Sequence, residues 1–203
     1  MANVWEDDRR FQAIRAAMAG RTLVGPADSF LLYQFARLAG HLPGDVAEVG
    51  VYKGGTARLL AEVLHRGGKL LHLFDTFQGM PETDPQKDWH KQGDFADTSL
   101  PPVQEYLHEF PLVRFYPGLF PATAVPVRET RFCMAHVDVD IYRSVLDCCE
   151  FFYPRMTAGG IILFDDYGKL TCPGARRAVD EFFLDKPEAV CYASSGQCFI
   201  IKL

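Results

Sequence analysis

Phe132-Cys133-Met134-Ala135-His136-Val137-Asp138-Val139-Asp140 is an apolar run that closes on carboxylates, and Gly160-Ile161-Ile162-Leu163-Phe164-Asp165-Asp166-Tyr167-Gly168 closes the same way. Short continuous apolar runs bounded by polar and turn residues read as strands buried on both faces of a parallel sheet. Two such strands bring four carboxylates to one sheet edge. In an open parallel sheet the carboxyl ends of the strands are where ligands bind, so chemistry is expected there. Acids crowded into one cleft repel each other unless a cation joins them. A hard divalent ion such as Mg²⁺ suits a cluster of oxygen donors.

Outward from these runs, residues 45–203 alternate between strand and helix patterns. Strands are expected over 45–51, 69–74, 113–116, 131–137 and 160–164, and helices over 56–65, 102–109, 142–152 and 174–183. A closing pair of strands over 189–193 and 197–202, joined by Ser194-Ser195-Gly196, reads as a hairpin that adds an antiparallel edge. Such alternation means an α/β fold, a mostly parallel doubly wound sheet covered by helices on both faces. Ahead of it, residues 4–18 carry Phe11, Ile14 and Met18 at helical spacing. A second helix is expected to be capped by Asp28-Ser29 and stopped by Gly40 and Pro43. The expected organisation is one domain over 1–203, with an N-terminal helical segment (1–43) and a core (44–203). Residues 78–98 have no hydrophobic period and are rich in Pro, Asp and Gly. A loop that long is either functional, such as a lid, or disordered. Trp89 and His90 within it are candidates for substrate contact, or simply members of a solvated loop anchored by its Trp.

With 203 residues, 48% of them hydrophobic, and a formal net charge of −5, the composition fits a soluble chain with a small-molecule partner. It gives no basic face for nucleic acid or an anionic membrane. No apolar stretch approaches the roughly 20 residues of a membrane span. The six cysteines lack CxxC spacing and fit a reducing compartment, so a cytoplasmic protein is expected and a Cys191–Cys198 disulfide is not. The oligomeric state stays open, a homo-oligomer included.

Glu48-Val49-Gly50-Val51-Tyr52-Lys53-Gly54-Gly55 follows the first core strand and precedes a helix, where a doubly wound fold meets a nucleotide-like ligand. The spacing is not GxGxxG, which argues against a dinucleotide pyrophosphate. Glu48 would repel a phosphate and suit a cationic amino-acid group, unless it pairs with a lysine beside a plain tight turn. Asp75 ends the second core strand, where an acid accepts hydrogen bonds from ribose hydroxyls; alternatively it caps its own turn. Together they suggest a nucleoside ligand without a phosphate, a description that S-adenosylmethionine meets.

At the acid edge, Asp138 and Asp140 are two apart and share one face of an extended chain, while Asp165 and Asp166 point oppositely unless the chain turns at Tyr167-Gly168. Given that turn, Asp138, Asp165 and Asp166 can hold one ion, leaving Asp140 to remove a proton or to cap the helix at Tyr142. His136 reads as a core histidine rather than a ligand.

These residues resemble the macrocin O-methyltransferase family. The matching stretches are residues 44–55, Phe74-Asp75-Thr76-Phe77-Gln78-Gly79-Met80-Pro81, His136-Val137-Asp138-Val139-Asp140-Ile141-Tyr142-Arg143-Ser144 and residues 159–168, with a continuation over 174–182. The resemblance implies a Rossmann-like class I methyltransferase that binds S-adenosylmethionine through Glu48, Gly50, Val51, Tyr52, Gly54, Asp75, Thr76 and Phe77, with Ser99 and Gly118 toward the adenine. It also implies Mg²⁺ on Asp138, Asp165 and Asp166, with Asp140 as base, and a hydroxylated sugar or glycosylated natural product as acceptor. A catechol-type methyltransferase, or a cofactor-binding module without turnover, are the competing readings. Gln78 departs from the glutamate expected after the Asp-Ser/Thr-Phe element, and the N-terminal extension of larger members is short here.

Overall fold

A computed structural model describes residues 3–203. Seven strands make one sheet: β1 (Asp45–Val49), β2 (Leu71–Asp75), β3 (Val113–Pro117), β4 (Phe132–Val137), β5 (Met156–Phe164), β6 (Cys191–Tyr192) and β7 (Cys198–Ile201), in the order β3-β2-β1-β4-β5-β7-β6. β1 to β5 are mutually parallel, and β7 runs antiparallel between β5 and β6. Every residue of β4 is buried, as its unbroken apolar run requires. The closing hairpin is shorter than expected. Its register sets Cys191 opposite Phe199 and Cys198 opposite Tyr192, and all six thiols are free.

Helices α1 (Arg9–Ala17), α2 (Pro26–Ala39), α3 (Gly55–Leu64) and α4 (Leu100–Tyr106) share a core with one face of the sheet, built around Phe11, Leu32, Leu60, Leu107 and Met134. α5 (Tyr142–Phe152) and α6 (Pro173–Phe183) pack on the other, around Phe132, Phe152, Ile162 and Phe183. The helix expected over 4–18 is broken: a 3₁₀ turn at Val4–Glu6 precedes α1, because Asp8 accepts the Phe11 N–H at 2.9 Å and caps a fresh helix. α2 starts before Asp28-Ser29, with Gly25 as N-cap and Pro26 in its first turn, where a fixed φ and a missing N–H cost nothing. Asp28 is thereby inside the helix, and it is buried against Lys169 Nζ at 3.1 Å.

The chain leaves β1 toward β2 on one side while β4 lies on the other, so the crevice of the sheet opens between the ends of β1 and β4. There the two backbones nearly touch. Gly50 has φ +90°, and a Cβ on it would lie 1.7 Å from the Asp138 carbonyl oxygen. No helix among the described residues is long and apolar enough to cross a membrane.

Candidate active site

A cavity of about 350 Å³ runs along this crevice, with Gly50, Val51, Tyr52, Asp75, Thr76 and Gly118 in one part of its wall and Asp138, Asp140, Asp165 and Asp166 in the other. The first group is built by backbone. Asp75 Oδ2 accepts the N–H groups of Val51 (2.6 Å) and Tyr52 (2.8 Å), and Oδ1 accepts that of Phe77 (2.6 Å). A carboxylate has about four lone-pair positions, so one acceptor site remains for a ligand hydroxyl. Gly118 N–H donates to the Asp75 carbonyl at 2.9 Å. Gly54, with φ +85°, is the N-cap of α3 and faces Val103 of α4. Gly54, Phe77 and Ser99 lie outside the cavity wall, as does Glu48.

Glu48 is fully buried, and its Oε1 is 2.9 Å from Nδ1 of His136, its register partner across the β1–β4 pair. Its partner is this histidine and not the lysine considered from sequence. Its Oε2 has no hydrogen-bond partner among the described residues. His136 is equally buried, and Nε2 stands 3.9 Å from Asp165 Oδ1, an ion-pair separation too long for a hydrogen bond. Burial opposes a charge on His136, but the carboxylates of Asp165 and Glu48 outweigh it and raise the pKa to about 10, so the ring is an imidazolium.

The acid group is short of cations. Oxygens of Asp138, Asp165 and Asp166 lie within 4.8 Å of one another. The chain does turn after Asp166: Lys169 N–H donates to the Asp166 carbonyl at 3.1 Å and Gly168 N–H to Gly196 at 2.6 Å. Burial, then repulsion from Asp165 and Asp166, pushes the Asp138 pKa far up. Burial, then Asp140 and Asp165, does the same to Asp166. Asp165 alone moves down: burial is outweighed by the neighbouring His136, and Gln197 Nε2 adds a hydrogen bond at 2.5 Å.

Asp140 does not cap α5. It takes a left-handed φ of +59°, its N–H donates to Asp166 Oδ2 at 2.9 Å, and the Tyr142 N–H is satisfied instead by Asp88 Oδ1 at 2.8 Å. Asp88 comes from the loop of residues 78–98, which is therefore tied to the site. Thr98 Oγ1 donates to the Tyr52 carbonyl (2.5 Å), Asp97 pairs with Lys53 (2.5 Å), and His90 reaches the cavity, whereas Trp89 is two-thirds exposed. Asp88, Lys169, Cys172 and Gln197 are the neighbours that sequence reading missed. None carries a local signal, since each arrives through a loop or the terminal hairpin.

The half-buried Asp138 and the buried Asp165 and Asp166, hard oxygen donors with only Asp165 facing the imidazole of His136, fit a divalent ion such as Mg²⁺. The glycine turn that no Cβ could enter, with the remaining acceptor on Asp75, fits a nucleoside. The sheet order and this crevice define the class I O-methyltransferase fold. The chain belongs to the macrocin-O-methyltransferase (TylF) family, whose profile matches residues 3–187. Among its relatives is the 8-demethyl-8-(2,3-dimethoxy-alpha-L-rhamnosyl)-tetracenomycin-C 4'-O-methyltransferase of Streptomyces olivaceus, 31% identical over 152 residues, or 68% of this chain and 58% of the relative. Another is the mycinamicin III 3''-O-methyltransferase of Micromonospora griseorubida, 32% identical over 157 residues, or 70% and 61%. The chain thus spans 58% to 61% of the length of these relatives. The solved structure of the O-methyltransferase NovP superposes with a TM-score of 0.77 at 24% identity, covering 94% of this chain and 88% of that one.

Proposed function

We propose that the protein is an S-adenosylmethionine-dependent, Mg²⁺-dependent O-methyltransferase acting on a hydroxyl of a sugar or a glycosylated natural product. The observation that carries this reading is the placement of Asp138, Asp165 and Asp166 in the same cavity as the Gly50–Asp75 turn, with Asp140 beside them. When bound, the cofactor supplies an electrophilic methyl group, and the divalent ion lowers the pKa of the acceptor hydroxyl. Gly50, Val51, Tyr52 and Asp75 fix the nucleoside side of the cavity, so that donor and acceptor meet in one geometry. Asp138, Asp165 and Asp166 hold the ion, with His136 and Gln197 fixing Asp165 from behind. Asp140, whose pKa burial raises, takes the acceptor's proton on its carboxylate. The relatives whose names specify sugar and antibiotic acceptors favour a glycoside over a catechol.

The test is transfer of a labelled methyl group to a panel of glycosides and catechols, with Mg²⁺ and with EDTA. Transfer to glycosides that EDTA abolishes, with cofactor binding retained in calorimetry, is the expected result. Activity that persists without divalent metal overturns the assignment, and transfer confined to catechols moves the acceptor class.

A further inference from the structure

A second cluster shares the cavity and has softer donors. His90 Nε2, Asp140 Oδ1 and Cys172 Sγ converge: sulfur to carboxylate is 3.4 Å, sulfur to imidazole 3.7 Å, and imidazole to carboxylate 3.7 Å. With metal bonds of ~2.0–2.1 Å to nitrogen and oxygen and ~2.3 Å to sulfur, two ligands on a tetrahedral ion sit roughly 3.3–3.6 Å apart. The three atoms already span a face of such a tetrahedron. The remaining nitrogen of the imidazole gives an independent pointer. His90 Nδ1 lies 3.1 Å from Asp94 Oδ2, a carboxylate that also accepts the Lys91 N–H at 2.9 Å. An ionised carboxylate only accepts, so Nδ1 is the nitrogen that donates to Asp94, and Nε2 is the one turned toward Asp140 and Cys172, where a metal would meet it. A carboxylate behind a histidine in this way is the usual second support of a zinc ligand. All three donors line the cavity, which leaves a fourth position open to solvent or ligand and provides an entry path.

We infer that His90, Asp140 and Cys172 form a binding site for a borderline-soft divalent metal of the Zn²⁺ class, adjacent to and distinct from the hard-oxygen cluster of Asp138, Asp165 and Asp166. A thiolate and an imidazole select such an ion over Mg²⁺. On binding, the Cys172 thiol gives its proton to solvent and sulfur takes up the metal, so affinity falls as pH falls. A consequence rests on the functional reading above: an ion here occupies the base, Asp140, so Zn²⁺ inhibits methyl transfer even when Mg²⁺ is saturating.

The probe is Co²⁺ added to the purified chain, read by its absorption spectrum. The expected result is a thiolate-to-cobalt charge-transfer band that saturates at one ion and is displaced by Zn²⁺. Cys172→Ser abolishes the band, Asp94→Ala weakens binding roughly 10- to 100-fold, and Asp138→Asn leaves it in place. Absence of the band from the wild type, or its survival in Cys172→Ser, overturns the site. His90→Ala, on the surface loop, repeats the test without altering the buried thiol. Its unchanged affinity for Co²⁺ would equally overturn the site. These readings need no turnover, so they stand apart from the proposed activity. In the kinetic arm Zn²⁺ removes a larger fraction of turnover from the wild type than from Cys172→Ser, and equal losses overturn the inhibitory role.

Discussion

The two ends of the cavity are built on opposite plans. At the ends of β1 and β2 the wall is backbone: Asp75 is held by three N–H groups with one acceptor position to spare, and Gly50 admits the Asp138 carbonyl where any side chain would collide. At the ends of β4 and β5 the wall is charge: Asp138 and Asp166 are pushed toward their neutral forms by burial and by the neighbouring carboxylates, Asp165 first for Asp138 and Asp140 first for Asp166. The first end is complete as the chain folds; the second asks for a cation. A ligand that needs shape is matched to the first and an ion to the second, and substitutions should therefore separate the two functions.

The sharpest separation is Asp138→Asn. Loss of one ligand of the ion should cost several kcal/mol of transition-state stabilisation, about a thousandfold in methyl transfer, while calorimetric cofactor binding is retained. Equal loss of both would erase the distinction between the two ends. Gly50→Ala attacks the junction itself. With φ at +90° and a carbonyl oxygen in the place of the methyl, it should lower stability by about 3 kcal/mol or more in denaturant titrations, and cofactor binding with it. Mg²⁺ at about a hundredfold excess over its dissociation constant should stabilise the wild type by about 2.7 kcal/mol. The same titration should leave the melting temperature of Asp166→Asn nearly unmoved. Asp75→Asn replaces a charged acceptor of three N–H groups and should cost about 2 kcal/mol and weaken cofactor binding, with the Mg²⁺-induced rise in melting temperature preserved. The smallest effect expected is from Asp88→Ala, about 1 kcal/mol for the lost cap of α5, seen as a shift of the denaturation midpoint.

What was readable in the sequence follows from what is local. β4 and β5 were legible because burial on both faces leaves an unbroken apolar run, and the carboxylates that end them stand where a parallel sheet must present them. Helix starts were less legible. Asp8 starts the first helix where the sequence suggested Val4, and Gly25-Pro26 starts the second where Asp28-Ser29 had been expected to cap it, because several residues near each start can cap and only packing chooses among them. Glu48 shows the limit of position-based reasoning. It sits on the strand where a ligand contact is expected, yet the β1–β4 register gives it His136 as a cross-strand partner, and burial makes that pairing obligatory. Asp88, Lys169, Cys172 and Gln197 come together only through tertiary structure, and no spacing in the sequence announces them.

Asp88 has a practical consequence. Its carboxylate closes α5 and lies against the first turn of α6, where a Cβ at Gly174 would stand 2.0 Å from Oδ1. The loop of residues 78–98 is the obvious segment to exchange when re-engineering acceptor choice. It is not a free cassette: a transplanted loop must bring an acid to the same spot and keep Gly174, or the exchange will unseat two helices along with the specificity it set out to alter.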